Sequence, residues 1–214
     1  MRETYPIARP GWSYLAVLAV ITGVCYVFYR PASALPAFLF FFTAYFFRNP
    51  KRTIPSEKNI VVSPADGVVM SVGEVQENRF LDGPSLKVSI FLSIFNVHVN
   101  RAPVEGCIKY REYVPGKFLP AFKSHASGLN ERNYIGIDSS GVRVLVCQIT
   151  GFIARRIVCN TVPGDWVERG QLFGMIKFGS CTEIYLPTNV QVLVKKGDIV
   201  KGGETVIGRL PDES

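Results

Sequence analysis

The sequence predicts an all-β-dominated domain preceded by an N-terminal α-helical membrane hairpin, and three observations predict it. From Lys58 onward, apolar residues alternate at a period of two. A Gly-Asp motif recurs 33 residues apart in the last quarter of the chain. Residues 1–52 carry two apolar runs without a single charge inside them.

The first run, residues 12–29 (WSYLAVLAVITGVCYVFY), nearly spans a hydrocarbon core of about 30 Å at about 1.5 Å per residue. Arg30-Pro31 separates it from a shorter, very aromatic run at residues 35–47 (LPAFLFFFTAYFF) that crosses the bilayer or only dips into it. Residues 1–52 hold Arg2, Arg9, Arg30, Arg48, Lys51 and Arg52 against Glu3, so +5 of the net +7 resides there. Charge before the first run and after the second favours a hairpin with both ends cytoplasmic. A cleaved signal peptide is disfavoured, because no small-residue cleavage site ends the first run and a second run follows. A buried soluble hairpin remains the competing reading.

Composition narrows the remainder. With 48% hydrophobic and 19% charged residues, the chain is neither disordered, a coiled coil nor a nucleic-acid-binding arm. Five cysteines without C-x-x-C spacing fit a reducing compartment better than a disulfide scaffold. Two histidines, His98 and His125, are too few for a His-rich metal cluster, so no metal is expected.

Period-two runs include Val68-Met70-Val72, Leu86-Val88-Ile90-Leu92, Val142-Val144-Val146 and Val190-Val192-Val194, punctuated by Gly, Pro, Asp and Asn. They predict a β sandwich or barrel over residues 53–214. Within it, Gly164-Asp165-Trp166-Val167-x-x-Gly170 recurs as Gly197-Asp198-Ile199-Val200-x-x-Gly203. Each copy reads as strand, turn and strand, with Gly-Asp supplying the turn and the second Gly a φ > 0 position. Paired units of this kind resemble the biotinyl/lipoyl-like barrel-sandwich hybrid. The repeat speaks to fold and leaves function open.

Few residues carry chemistry. Asp66 lies in Ser63-Pro64-Ala65-Asp66-Gly67, where an aspartate commonly serves only as a turn former. In an extended Asn96-Val97-His98-Val99-Asn100, the two asparagines and the histidine share one face, which reads as a site wall or a solvent-facing edge. His125 reads as structural or surface. In Lys177-Phe178-Gly179-Ser180, the glycine minimises crowding around its own carbonyl, so the serine hydroxyl can approach it. Cys181 lacks an electropositive neighbour and reads as an inert thiol.

These blocks, SPADG at 63–67, NVHVNRAPVEG at 96–106, PGKF at 115–118, NERN at 130–133, ARRIVC at 154–159 and RGQLFGMIKFGS at 169–180, together resemble the phosphatidylserine decarboxylase family in its short single-domain, archaetidylserine decarboxylase-like form. The resemblance covers nearly all of residues 48–214. It implies catalytic Asp66, His98 and Ser180, and self-cleavage between Gly179 and Ser180 into chains 1–179 and 180–214 that stay together. It further implies a pyruvoyl cofactor derived from Ser180, which forms a Schiff base with phosphatidylserine and releases phosphatidylethanolamine and carbon dioxide. Cys181 follows the serine where the family often has Thr or Arg.

Under this resemblance the catalytic domain is held at the cytoplasmic face of the cell membrane, with Arg48, Lys51 and Arg52 among anionic headgroups. Arg155, Arg156, Asn96 and Asn100 are candidates for substrate binding. Adjacent strand residues face opposite ways, so at most one of the two arginines serves. The partners expected are phosphatidylserine and membrane lipids, with no nucleic acid and with homo-oligomerisation left open. From another class, a membrane-tethered biotinyl/lipoyl-like adaptor or carrier explains the anchor and the repeat. A modifiable Lys177 in Met175-Ile176-Lys177 is its superficial support, and it leaves the Asp66 and His98 blocks unexplained.

Overall fold

A computed structural model describes residues 5–119, 126–151, 156–177 and 180–211. Contacts divide the chain into two compact units, Met1–Lys51 and Arg52–Ser214.

In the first unit, helix α1 (Arg9–Phe28) opens with Pro10 in its first turn, where a missing N–H does no harm. Its 20 residues extend about 30 Å. It is the one described helix long and apolar enough to cross a membrane, and only 11% of its most apolar window is buried. Val17, Val20, Val24, Val27 and Phe28 stand exposed on it. A 3₁₀ turn (Arg30–Ser33) reverses the chain into α2 (Ala34–Phe46). At 13 residues, about 20 Å, α2 is too short to span the same core. The ends of the hairpin are pinned together: the Ala8 N–H donates to Phe47 O at 2.8 Å, and the Asn49 N–H to Pro6 O at 2.7 Å. Gly11 permits this approach, since a Cβ there would lie 2.6 Å from the Phe47 Cβ.

The second unit is mostly β. Its strands are β1 (Ile60–Val62), β2 (Gly67–Glu77), β3 (Gly83–Leu92), β4 (Val99–Arg101), β5 (Gly106–Val114), β6 (Arg132–Ser139), β7 (Val142–Ile149), β8 (Arg156–Cys159), β9 (Trp166–Val167), β10 (Leu172–Lys177), β11 (Ser180–Pro187), β12 (Gln191–Val192), β13 (Ile199–Val200) and β14 (Val206–Arg209). Among its described residues a single short helix, α3 (Ala126–Leu129), precedes β6. Eight strands form one curled antiparallel sheet in the order β13-β2-β3-β11-β7-β6-β5-β9. Two three-stranded sheets, β1-β14-β12 and β4-β10-β8, complete the unit.

The order of the large sheet is palindromic, and the reason is a duplication wider than the Gly-Asp motif. Gly164 and Gly197 have φ of 99° and 96°, and Gly170 and Gly203 of 76° and 80°. Asp165 and Asp198 each accept the N–H three residues upstream at 2.9 Å. The copies pair with β5 and β2, whose first residues, Gly106 and Gly67, approach the neighbouring strand equally closely. A Cβ would lie 2.3 Å from Asp138 O in one and 2.1 Å from Phe91 O in the other. Arg101 N–H donates to Pro64 O and Val62 N–H to Pro103 O, both at 2.9 Å, so Ser63–Gly67 and Ala102–Gly106 are mates.

The inner face of the sheet supplies the core: Val69, Val88, Ile90, Leu92, Ile135, Ile137, Val144, Val146, Ile184 and Leu186. Removing each such side chain from water contributes about 1.5–3 kcal/mol. A second cluster of Tyr134, Leu145, Cys147, Ile149 and Cys181 covers the outer face of the central strands. Strands β7 and β11 are therefore buried on both sides, which their short apolar runs alone do not reveal.

Candidate active site

Ser180 is the first residue of β11, the strand clasped between β3 and β7. Alternation along β11 turns Ser180, Thr182, Ile184 and Leu186 inward and Cys181 and Glu183 outward. Ser180 is fully buried, and its Oγ has no hydrogen-bond partner among the described residues. A buried hydroxyl left in this state is destabilising by about 1–3 kcal/mol. Gly179 lies outside the described residues.

His98 is fully buried just ahead of β4. Its carbonyl accepts the Ile176 N–H at 3.2 Å, which places it beside β10 only four residues before Ser180. The run from Asn96 to Asn100 is not one extended face. Asn96 sits in a turn, its Oδ1 accepting the Ser93 N–H at 2.9 Å and the Ser93 hydroxyl at 2.7 Å. Val97, His98, Val99 and Asn100 are all buried, so the segment is interior on both sides.

Asp66 enters from the turn before β2. Val68 and Cys181 both align with Phe91, so the Asp66 turn and Ser180 occupy the same end of the sheet, with β3 between them. Two strand spacings separate the backbones, about 10 Å. The Asp66 carboxylate accepts Arg52 Nη2 at 2.8 and 2.9 Å and the Gly202 N–H at 2.8 Å. Arg52, expected among lipid headgroups, is instead an interior residue, 8% exposed, whose Nη1 also reaches Glu204 Oε2 at 3.3 Å. Arg101 is half-buried nearby and donates to Gly170 O at 3.0 Å. Burial first, and then repulsion from Arg52, push its pKa down against the pull of Asp66 and Glu204.

The substrate-binding candidates are scattered. Asn100 is wholly enclosed, its amide bonded to Gln148, Thr182 and Pro64, and has no surface from which to meet a lipid. Arg156 is exposed on β8 opposite Lys177, at the approach to residue 180. Arg155 and His125 lie outside the described residues. Burial pushes the Cys181 thiol well up, in keeping with an inert group. No cluster of three or more His, Cys, Asp or Glu able to hold a metal occurs among the described residues.

Sequence reasoning missed Arg52, Gln148 and Thr182. The first was read as a headgroup contact by its position after an apolar run. The other two lie inside apolar strands, where a lone polar residue gives no local signal.

Comparison with known proteins bears on this geometry. The family model for phosphatidylserine decarboxylase matches residues 39–208. The phosphatidylserine decarboxylase proenzyme of Carboxydothermus hydrogenoformans is 59% identical over 211 residues, covering 98% of this chain and 99% of that one. Those of Symbiobacterium thermophilum and Geotalea uraniireducens are 52% and 44% identical, covering 96% of this chain and 96% and 97% of theirs. A buried serine opening a central strand, flanked by segments bearing one aspartate and one histidine, thus occurs in a chain that belongs to the phosphatidylserine decarboxylase family.

Proposed function

We propose that this chain is a self-cleaving proenzyme whose mature form converts phosphatidylserine to phosphatidylethanolamine and carbon dioxide. The observation that carries the reading is the Ser180 hydroxyl, enclosed and without a partner among the described residues at the start of the central strand. An orphaned hydroxyl at that position fits a residue destined to become a carbonyl. The names of the relatives, which are proenzymes, fit it too.

The cleavage balances without any outside reagent but water. Ser180 Oγ gives its proton to His98 and adds to the Gly179 carbonyl, turning the amide into an ester. Removal of the Ser180 Cα proton expels the Gly179 carboxylate and leaves a dehydroalanine. Tautomerisation and hydrolysis consume one water, release ammonia, and leave a pyruvoyl group at the head of chain 180–214. That ketone, once condensed with the substrate amine with loss of water, would supply the electron sink for the departure of carbon dioxide. His98, having served the cleavage as base, returns a proton to the product. Asp66 orients the ring and favours the imidazolium that forms. Arg156, exposed beside Lys177, is the described arginine best placed for the headgroup.

The same reading takes α1 as the membrane anchor and, by the excess of Lys and Arg, sets the β unit on the cytoplasmic face. The palindromic sheet and the matched Gly-Asp hairpins support the barrel-sandwich-hybrid description of that unit.

Intact mass of the denatured protein tests the proposal. The parent chain should give two species, 1–179 and 180–214, while Ser180→Ala should give one chain of 214 residues. His98→Ala should block or greatly slow the cleavage. Vesicles of headgroup-labelled phosphatidylserine should lose carbon dioxide with the parent and not with Ser180→Ala, and the archaeal ether lipid tested in parallel separates the two headgroup-identical substrates. An unbroken parent chain without decarboxylation would sink the reading.

A further inference from the structure

The interior of the β unit contains one site twice, once polar and once apolar. Strand registers identify the mates. Asn100 faces Gly174 as Val61 faces Gly208. Asn133 faces Gln148 as Leu86 faces Leu186. Phe91 aligns with Val68 and Cys181, and Asp138 with Cys107 and Arg143, so Thr182 stands on β11 where Val144 stands on β7. The glycines agree: a Cβ on Gly174 would meet Gln148 Nε2 at 3.0 Å, and one on Gly208 would meet Leu186 Cδ1 at 3.8 Å.

Asn100, Thr182, Gln148 and Asn133 are each 0–1% exposed and joined in a chain. Asn133 Nδ2 donates to Gln148 Oε1 at 2.9 Å, and Gln148 Nε2 to Asn100 Oδ1 at 2.8 Å. With its oxygen so occupied, Asn100 turns its Nδ2 to Thr182 Oγ1 at 3.0 Å and Pro64 O at 3.4 Å. Their mates Val61, Val144, Leu186 and Leu86 make the same registers with no polar atom and join the hydrophobic core. The fold is therefore its own control. Apolar side chains suffice for this architecture, and buried polar groups bring desolvation that only complete bonding offsets.

The polar copy is the one that holds the candidate catalytic residues. In the other copy Val142 stands for Ser180, Glu105 for Asp66 and Asn59 for His98, around a cavity of about 400 Å³. Asn100 is two residues from His98, Thr182 two from Ser180, and Pro64 two from Asp66. One amide thus ties together the three segments that bear them.

We propose that Asn133, Gln148, Asn100 and Thr182 are a positioning ladder that holds those segments in register for backbone cleavage and, once the bond is cut, ties the new chain end to the strand beside His98. The proposal rests on the self-cleavage reading. Its force is geometric: displacement of a reacting group by about 1 Å lowers a rate by about 100-fold.

The test transplants the apolar copy into the polar one, as Asn100→Val, Thr182→Val, Gln148→Leu and Asn133→Leu together in the full chain. Cleavage is followed by mass, and Tm is compared with uncleaved Ser180→Ala. The expected result is a Tm equal to or above that reference, with cleavage slowed about 10–100-fold. If the fourfold variant does not fold, Thr182→Val and Thr182→Ser decide. The valine should slow cleavage about tenfold at unchanged Tm, and the serine, keeping the hydroxyl, should restore it. Cleavage at the parental rate in a folded fourfold variant, or in Thr182→Val, would overturn the proposal. So would parallel losses of Tm and cleavage with both Val and Ser. A parent chain that never cleaves would instead overturn the underlying reading.

Discussion

Arg52 directly follows the boundary of the N-terminal unit, where its charge by itself suggests a lipid contact. Its guanidinium instead pairs with Asp66 and Glu204, and the three side chains are only 8%, 14% and 28% exposed. Glu204 is also the residue by which one copy of the duplication is longer, since Gly203 is 33 residues from its mate and Gly208 is 34 from Gly174. Removing one partner from such a cluster strands the others, so Arg52→Ala should lower stability by about 2 kcal/mol, read as a shift of the urea midpoint. Its pH dependence has a defined sign. Burial raises the Glu204 pKa, but the Thr53 N–H and Arg52 outweigh it and hold the carboxyl below its ordinary value of 4.5. The stabilisation is therefore complete above that pH and fades as pH falls below it. Arg52→Ala should flatten this acid limb; an unchanged limb and midpoint would make the cluster a solvated surface group.

At the scale of elements, α1 and α2 look alike in composition and differ in what their length allows. Twenty mostly apolar residues reach the length that a crossing needs and thirteen fall short of it, while the bond from Ala8 to Phe47 O returns the end of α2 to the start of α1. With α1 as the proposed anchor, an arginine at its exposed centre should oppose insertion by about 2.5–3.5 kcal/mol. Val20→Arg should shift the protein from the vesicle-bound to the free fraction on flotation, while self-cleavage, which belongs to the β unit, continues. Retention on vesicles equal to the parent's would move the anchor elsewhere. Strand β11 illustrates the opposite case. Its ladder to β3 begins at Ser180 and its ladder to β7 at Cys181, so the bond proposed for cleavage adjoins a rigid element.

For the whole molecule, the proposed cleavage after residue 179 would sever the chain without severing the fold. Strand β11 remains paired with β3 and β7, β14 with β1, and β13 with β2. Chains 1–179 and 180–214 should therefore co-elute on size exclusion in mild detergent and separate only in denaturant. Spontaneous loss of the short chain would contradict the sheet order. Leu186, Val190, Val200 and Ile207, all in the core, give the short chain an apolar hold independent of its hydrogen bonds.

By itself the sequence determined what is local. Uncharged length marked α1, period-two alternation marked the strands, and Gly-Asp turn chemistry marked the repeat, because each depends on residues a few positions apart. Asp66, His98 and Ser180 became candidates because their short blocks carry a family resemblance. Tertiary structure alone decided that Arg52 meets Asp66 across 14 residues, that Asn100 meets Thr182 across 82, and that Ser63–Gly67 mates with Ala102–Gly106. Those pairings follow from strand register, which is set by the collective burial of two sheet faces. Whether a buried amide becomes a strut or a liability is settled only when its partner arrives from another strand.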